Sequence, residues 1–138
     1  MRDLLAAYER LSAGPRQVGR AVVTSVWGSA PRPEEAFDRI GLDDTCYICV
    51  LSHDPKFDEP ALRLALRSPA AYIGAIGSRK TQAERRERLA AEGFTPDEIA
   101  RIYGPIGLDL GGRAPAETAL AILAEVTQVR YGVEGEER

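Results

Sequence analysis

Apolar residues along this chain alternate between two spacings, and each change of spacing marks an element. Val18 to Trp27 (VGRAVVTSVW), dense in β-branched side chains, predicts a first strand. Thr45 to Ser52 is a nearly continuous apolar run, the pattern of a strand buried in a parallel sheet. Ala71 to Ile76 predicts a third strand after the break at Ser68-Pro69. Between these runs the pattern turns helical: Pro33 to Ile40 with Gly41 as its stop, Pro60 to Arg67 after a loop over His53 to Asp58, and about Lys80 to Ala91 closed by Gly93. Thr95-Pro96-Asp97-Glu98 forms a capping box that starts a further helix, with Ile99, Ile102 and Tyr103 on its apolar side and Gly104-Pro105 as its end. Pro115 to about Val129 is apolar on nearly all sides, through Ala119, Leu120, Ile122, Leu123 and Val126, which predicts burial against the sheet.

Strands alternating with helices predict an α/β fold, Rossmann-like, in three α/β/α layers around a short, mostly parallel sheet. A length of 138 residues suits one domain. Within it, residues 1–32 supply a helix and a strand, 33–131 the Rossmann-like body, and 132–138 a polar tail. A net charge of −3 provides no basic field for nucleic acid. No apolar run approaches the length of a membrane span, and Met1-Arg-Asp-Leu-Leu-Ala-Ala-Tyr reads as an amphipathic helix, not a signal peptide; the cytoplasm is the expected location.

Two glycine-bearing turns hold the candidate chemistry. The first, Tyr72-Ile-Gly-Ala-Ile-Gly77-Ser78-Arg79-Lys80-Thr81, places backbone N–H groups, two hydroxyls and two cations at a helix start, where a phosphate group is favoured. The second runs from Gly107 through Asp109 to Gly112. Neither is a Walker sequence or a G-x-G-x-x-G dinucleotide fingerprint. In a parallel α/β fold ligands collect beyond the carboxyl ends of the strands. His53 and Asp54 follow one strand and Gly77 and Ser78 the next, so both loops, joined by the Gly107–Gly112 loop, are expected to form one crevice. The candidate cofactor-binding residues are His53, Asp54, Gly77, Ser78, Arg79, Lys80, Thr81, Gly107 and Asp109, and no catalytic residue is assigned. Asp58, just before Glu59-Pro60, reads as a helix N-cap. Glu84 and Arg88 read as an i,i+4 pair, and the arginines beyond Lys80 as a solvated face. Cys46 and Cys49 have C-x-x-C spacing but lie within a strand, where residues three apart face opposite ways, so they predict neither a redox pair nor a metal site.

Several of these segments together resemble the carboxyl-terminal Rossmann-type domain of the XdhC/CoxI family, the xanthine dehydrogenase accessory proteins. They are Leu51-Ser-His53-Asp54-Pro55-Lys56-Phe-Asp58, Tyr72-Ile-Gly74-Ala-Ile-Gly77-Ser78-Arg79-Lys80-Thr81, Arg86-Glu-Arg-Leu89, Pro105-Ile-Gly107-Leu108-Asp109-Leu-Gly111 and Pro115-Ala-Glu117. Val22-Val-Thr-Ser-Val-Trp27-Gly28-Ser29-Ala30-Pro31-Arg32 is similar to the opening strand of the family's amino-terminal domain. The chain departs from the family pattern in having no Gly-Gly-Cys stretch after that strand, no glycine-rich opening βα turn, and Ala114 where a hydroxyl residue is usual before Pro115.

The resemblance implies a protein that binds molybdenum cofactor, a molybdopterin, and delivers it to a molybdenum hydroxylase such as xanthine dehydrogenase. It implies a binding or delivery role more than catalysis. Two rivals use the same crevice: a nicotinamide-dependent oxidoreductase domain binding NAD(P), and a non-catalytic assembly subunit whose site is vestigial. The short sheet, with strand edges left to pair, also predicts a homodimer.

Overall fold

A computed structural model of the chain describes residues 21–23 and 33–132. Among these residues are four strands: β1 (Ala21–Val23), β2 (Tyr47–Val50), β3 (Tyr72–Ala75) and β4 (Ile102–Tyr103). The helices are α1 (Pro33–Ile40), α2 (Pro55–Leu66), α3 (Arg79–Ala91), α4 (Pro96–Ala100) and α5 (Pro115–Arg130). The strands pair in the order β1-β2-β3-β4, and every pairing is parallel. β1 falls inside the expected Val18–Trp27 strand. The rest of that run, the opening helix, Trp27 and the tail after Gly132 lie outside the described residues.

The pleat sorts the side chains of β2 and β3 into two layers. Cys46, Ile48, Val50, Ile73 and Ala75 face one way and pack with Phe37 of α1, Leu62 and Leu66 of α2, Leu89 of α3 and Ile99 of α4. Tyr47, Cys49, Tyr72 and Ile76 face the other way, against Ile122, Val126 and Val129 of α5. Three α/β/α layers result, as the alternating pattern predicts, but the division is uneven. Among the described residues four helices cover one face, and α5 covers the other.

Four local expectations change. Helix α2 begins at Pro55, not Pro60, because Asp54 caps it: its carboxylate accepts from the Lys56 N–H at 3.0 Å. Asp58 is therefore not a cap. It lies within the first turn, buried. Helix α4 ends at Ala100, since Ile102 and Tyr103 leave it to pair with Ile73 and Gly74. The Arg101 guanidinium at that exit donates to the carbonyls of Leu66, Ser68 and Ala70, closing the open end of α2 and the linker beyond it. Helix α5 is not buried all round: Ala121 and Ile122 are buried, whereas Leu120 and Leu123 are exposed. At its start Ala114 offers no side-chain cap, and the Glu117 carboxylate accepts the N–H groups of Arg113 and Ala114 instead. The capping box at Thr95 and Glu98 is present as predicted.

Polar contacts tie α5 to its face. Glu125 accepts the Tyr72 hydroxyl at 2.5 Å and the Gly107 N–H at 2.9 Å, while Leu108 donates to the Ala121 carbonyl. Tyr72 also stacks on Tyr103 with ring centroids 4.9 Å apart. The Tyr72 ring runs along its own strand above Gly74, where an added Cβ would meet the Tyr72 hydroxyl and Ile106 Cδ1, each at 2.5 Å. Gly74 is required by that close approach. Gly74→Ala should cost about 2 kcal/mol through overpacking; an unchanged urea midpoint would contradict it.

The cysteines are separated by the sheet, as the strand reading predicts. Cys46 is buried in the four-helix layer, with its thiol against Asp43. Cys49 faces α5, where burial, and then the nearby Glu125 carboxylate, push its thiol up to about 11. At about pH 8 only ~0.1% of it is thiolate. Labelling by a disulfide reagent at that pH should be about a hundredfold slower in the native protein than in urea. Equal rates would exclude this burial.

Candidate functional site

The turn after β3 carries the clearest geometry. Ile76 N–H still donates to the Val50 carbonyl at 2.9 Å, so the sheet pairing runs one residue past the strand. Gly77 then takes φ +133°, a conformation side-chain-bearing residues avoid, and a Cβ there would lie 3.0 Å from Thr81 Cγ2. Ser78 is the N-cap of α3. Its hydroxyl accepts from the Thr81 N–H at 3.2 Å and shares a 2.9 Å hydrogen bond with the Thr81 hydroxyl. The N–H groups of Gly77, Ser78, Arg79 and Lys80 carry no hydrogen bond among the described residues. They are a cluster of free donors at the positive end of a 13-residue helix.

The loop after β2 faces this turn. Ser52 accepts the Asp54 N–H at 3.0 Å, leaving His53 exposed at the mouth. Between the two loops lies a pocket of about 250 Å³, bounded by Ser52 and His53 on one side and Gly77, Ser78 and Thr81 on the other. Its remaining wall comes from α2 and α3, through Asp58, Glu59, Arg85 and Arg88.

Two ion pairs cross between α2 and α3 in that wall. At the rim, Arg88 Nε donates to Glu59 at 2.7 Å, and Glu59 also takes Arg63 at 3.2 Å. Deeper, Arg85 and Asp58 stand 3.5 Å apart with both side chains 5% exposed. Arg85 Nη1 donates to Gln82 Oε1 at 2.6 Å and to the Ile76 carbonyl, and Gln82 Nε2 donates to the carbonyls of Ala75 and Ile76. Two atoms of the deeper pair are left over: Asp58 Oδ1 and Arg85 Nε have no hydrogen-bond partner among the described residues. Burial raises the Asp58 carboxyl above the usual range, and the Ser52 hydroxyl, Arg85 and His53 pull it back only partly. Burial likewise lowers the Arg85 guanidinium, which stays charged.

Of the residues singled out from sequence, the structure brings His53, Gly77, Ser78 and Thr81 together around this pocket. Asp54 sits beside it with its carboxylate engaged in capping α2. The side chains of Arg79 and Lys80 are exposed and outside the lining, with Lys80 directed towards Glu84 at 3.9 Å. Gly107 and Asp109 are not part of the lining either, because their loop is bonded to α5 on the opposite face of the sheet. The cations of the pocket are instead Arg85 and Arg88. Arg85 is buried, not part of a solvated face, and Arg88 pairs with Glu59, not Glu84. Helical spacing could have found both: Ser78, Thr81, Arg85 and Arg88 recur at intervals of three or four and share one stripe of α3. No group of three or more His, Cys, Asp or Glu among the described residues is placed to hold a metal ion. No helix among them is long and apolar enough to cross a membrane.

Comparison with known proteins places this architecture. The chain is 33% identical over 89 residues to the molybdenum cofactor insertion chaperone PaoD of Escherichia coli (strain K12), covering 64% of this chain and 28% of that protein. It is 31% identical over 84 residues to a probable xanthine dehydrogenase subunit of Bacillus subtilis (strain 168), covering 61% and 23%. With YqeB of Escherichia coli (strain K12) the identity is 32% over 78 residues, covering 56% and 14%. The chain thus spans less than a third of the length of each of these relatives. A crystal structure of a xanthine dehydrogenase from Bacillus halodurans shares the fold, with a TM-score of 0.60 and 24% identity over 78% of this chain and 30% of that one. The family described as the XdhC Rossmann domain matches residues 9–126, and the chain belongs to that family.

Proposed function

We propose that this chain holds a phosphate-bearing cofactor in the pocket between the His53 and Ser78 loops. Its service is the maturation of a molybdenum hydroxylase such as xanthine dehydrogenase, by binding or delivery. The names of the relatives support the setting: one is a molybdenum cofactor insertion chaperone and another a probable component of xanthine dehydrogenase. The observation that carries the ligand class is the set of free N–H groups at Gly77, Ser78, Arg79 and Lys80, beside a buried and unpartnered Arg85 Nε. Both are donors, and donors gathered at a helix N-terminus favour an anion.

The residues fit the phosphate end of a molybdopterin. The N–H groups of Gly77 and Ser78 and the Thr81 hydroxyl offer donors at the lining, those of Arg79 and Lys80 follow at the same helix start, and Arg88 and His53 stand at the rim. At about 250 Å³ the pocket suits such a head group and not a whole cofactor. When bound, the cofactor supplies the molybdenum and dithiolene chemistry. This chain's residues bind and orient it. Neither cysteine reaches the pocket: Cys46 is enclosed in the core, and Cys49 lies on the α5 face. Holding the metal end through a thiolate of the described residues is therefore not part of this reading. The nicotinamide alternative gains nothing from the geometry, since the Gly77 turn is no dinucleotide fingerprint.

With molybdenum cofactor released from a purified hydroxylase, Arg88→Ala should weaken equilibrium binding about tenfold, the worth of one charge-assisted hydrogen bond. Arg79→Ala combined with Lys80→Ala should weaken it less, because those side chains act only at a distance. Equal affinity of the Arg88 variant and the native protein would remove the pocket from the cofactor's path. The homodimer belongs to the same proposal. Leu120 and Leu123 are exposed on α5, where a second copy of the chain would shield them. Light scattering at micromolar concentration should give twice the chain mass, and a monomer mass would refute it.

A further inference from the structure

The deep end of the pocket contains an acceptor where an anion site needs only donors. Among the described residues Asp58 Oδ1 and Arg85 Nε are both without partners, on side chains 5% exposed, and both residues line the cavity. A buried charged atom left without a hydrogen bond is costly, so such atoms mark positions that a guest is shaped to satisfy. Arg85 Nε asks for an oxygen lone pair. Asp58 Oδ1 asks for a proton. Asp58 sits in the first turn of α2, which Asp54 caps, and its other oxygen faces Arg85.

We propose that Asp58 makes this pocket selective for tetrahedral oxyanions that carry a proton, inorganic phosphate and phosphomonoesters in their monoprotonated form, against fully ionised ones such as sulfate and molybdate. The inference rests on the anion site proposed above and refines its ligand. The Gly77–Lys80 N–H groups and Arg85 accept any tetrahedral oxyanion without discrimination, since every oxygen of each can receive a hydrogen bond. Asp58 discriminates. A P–O–H group donates to Oδ1, whereas a bare oxygen placed there brings two lone pairs and two negative charges together. A site built to receive a hydrogen bond rejects the analogue lacking the proton far more strongly than a shape mismatch would. The same logic separates two sources of oxyanion in molybdenum metabolism: the phosphate of an organic cofactor is admitted in its monoprotonated form, and free molybdate is not.

Calorimetric titration of the native protein with inorganic phosphate, sulfate and molybdate, at about pH 8 and matched ionic strength, tests this directly. Phosphate should bind about a hundredfold or more tighter than either of the other two. Asp58→Asn, whose amide can donate to a bare oxygen, should bring phosphate and sulfate within about threefold of each other. Equal binding of phosphate and sulfate by the native protein would overturn the selectivity and leave the anion site standing. Binding of none of the three would overturn the anion site itself. Preferential binding of molybdate would reverse the assignment of the guest. The comparison on native protein decides the matter even if the Asn variant does not fold.

Discussion

The register of the central β2–β3 pair governs the rest of this molecule. Ile48 lies beside Ile73 and Cys49 beside Gly74, both strands running the same way. Parallel direction sends the two following loops to one edge of the sheet, and the pleat assigns every side chain to one of two layers. A slip of one residue would turn Ile48 and Val50 out of the four-helix core and bring Tyr47 and Cys49 into it. It would also separate Ser52 and His53 from the Gly77 turn. Core and pocket therefore depend on the same pairing.

The uneven coverage of the sheet has an energetic consequence. Side chains of the face under α1 to α4 are almost all fully buried and apolar. The α5 face instead relies on polar anchoring, with Glu125 holding both a strand hydroxyl and a loop N–H. Burial makes those bonds strong and their loss expensive. The Gly107–Asp109 loop is consequently committed to α5 and has no freedom to join the pocket on the other side.

The pocket is not simply positive. Arg85 and Arg88 are each faced by a carboxylate, and the uncompensated donors are main-chain N–H groups and one guanidinium nitrogen. On the proposed reading, attraction for an anion comes from pre-aimed hydrogen bonds and the helix end, which need no reorganisation when a guest arrives. Exposed lysine and arginine side chains at the same turn add only screened, long-range attraction. This is why Arg79 and Lys80, conspicuous in the sequence, are peripheral, while Arg85 and Arg88 are not.

Local chemistry was legible from residue order alone. The strand cores, the Thr95–Glu98 capping box, the helix start at Ser78, the opposed faces of Cys46 and Cys49 and the parallel α/β class all follow from periodicity and caps, which act over a few residues. What spacing could not reveal were partners distant along the chain. Asp58 reads as a cap until Arg85 of another helix is brought 3.5 Å from it, and Ile102 reads as helix until Ile73 offers a ladder. Asp109 reads as a pocket residue until α5 claims its loop. The sequence by itself determined most of the elements and the capped turn at Gly77–Thr81, because backbone geometry and capping are local. Only the tertiary structure decided which cations line the pocket and which loop leaves it, because a charge acquires its role from what is packed against it.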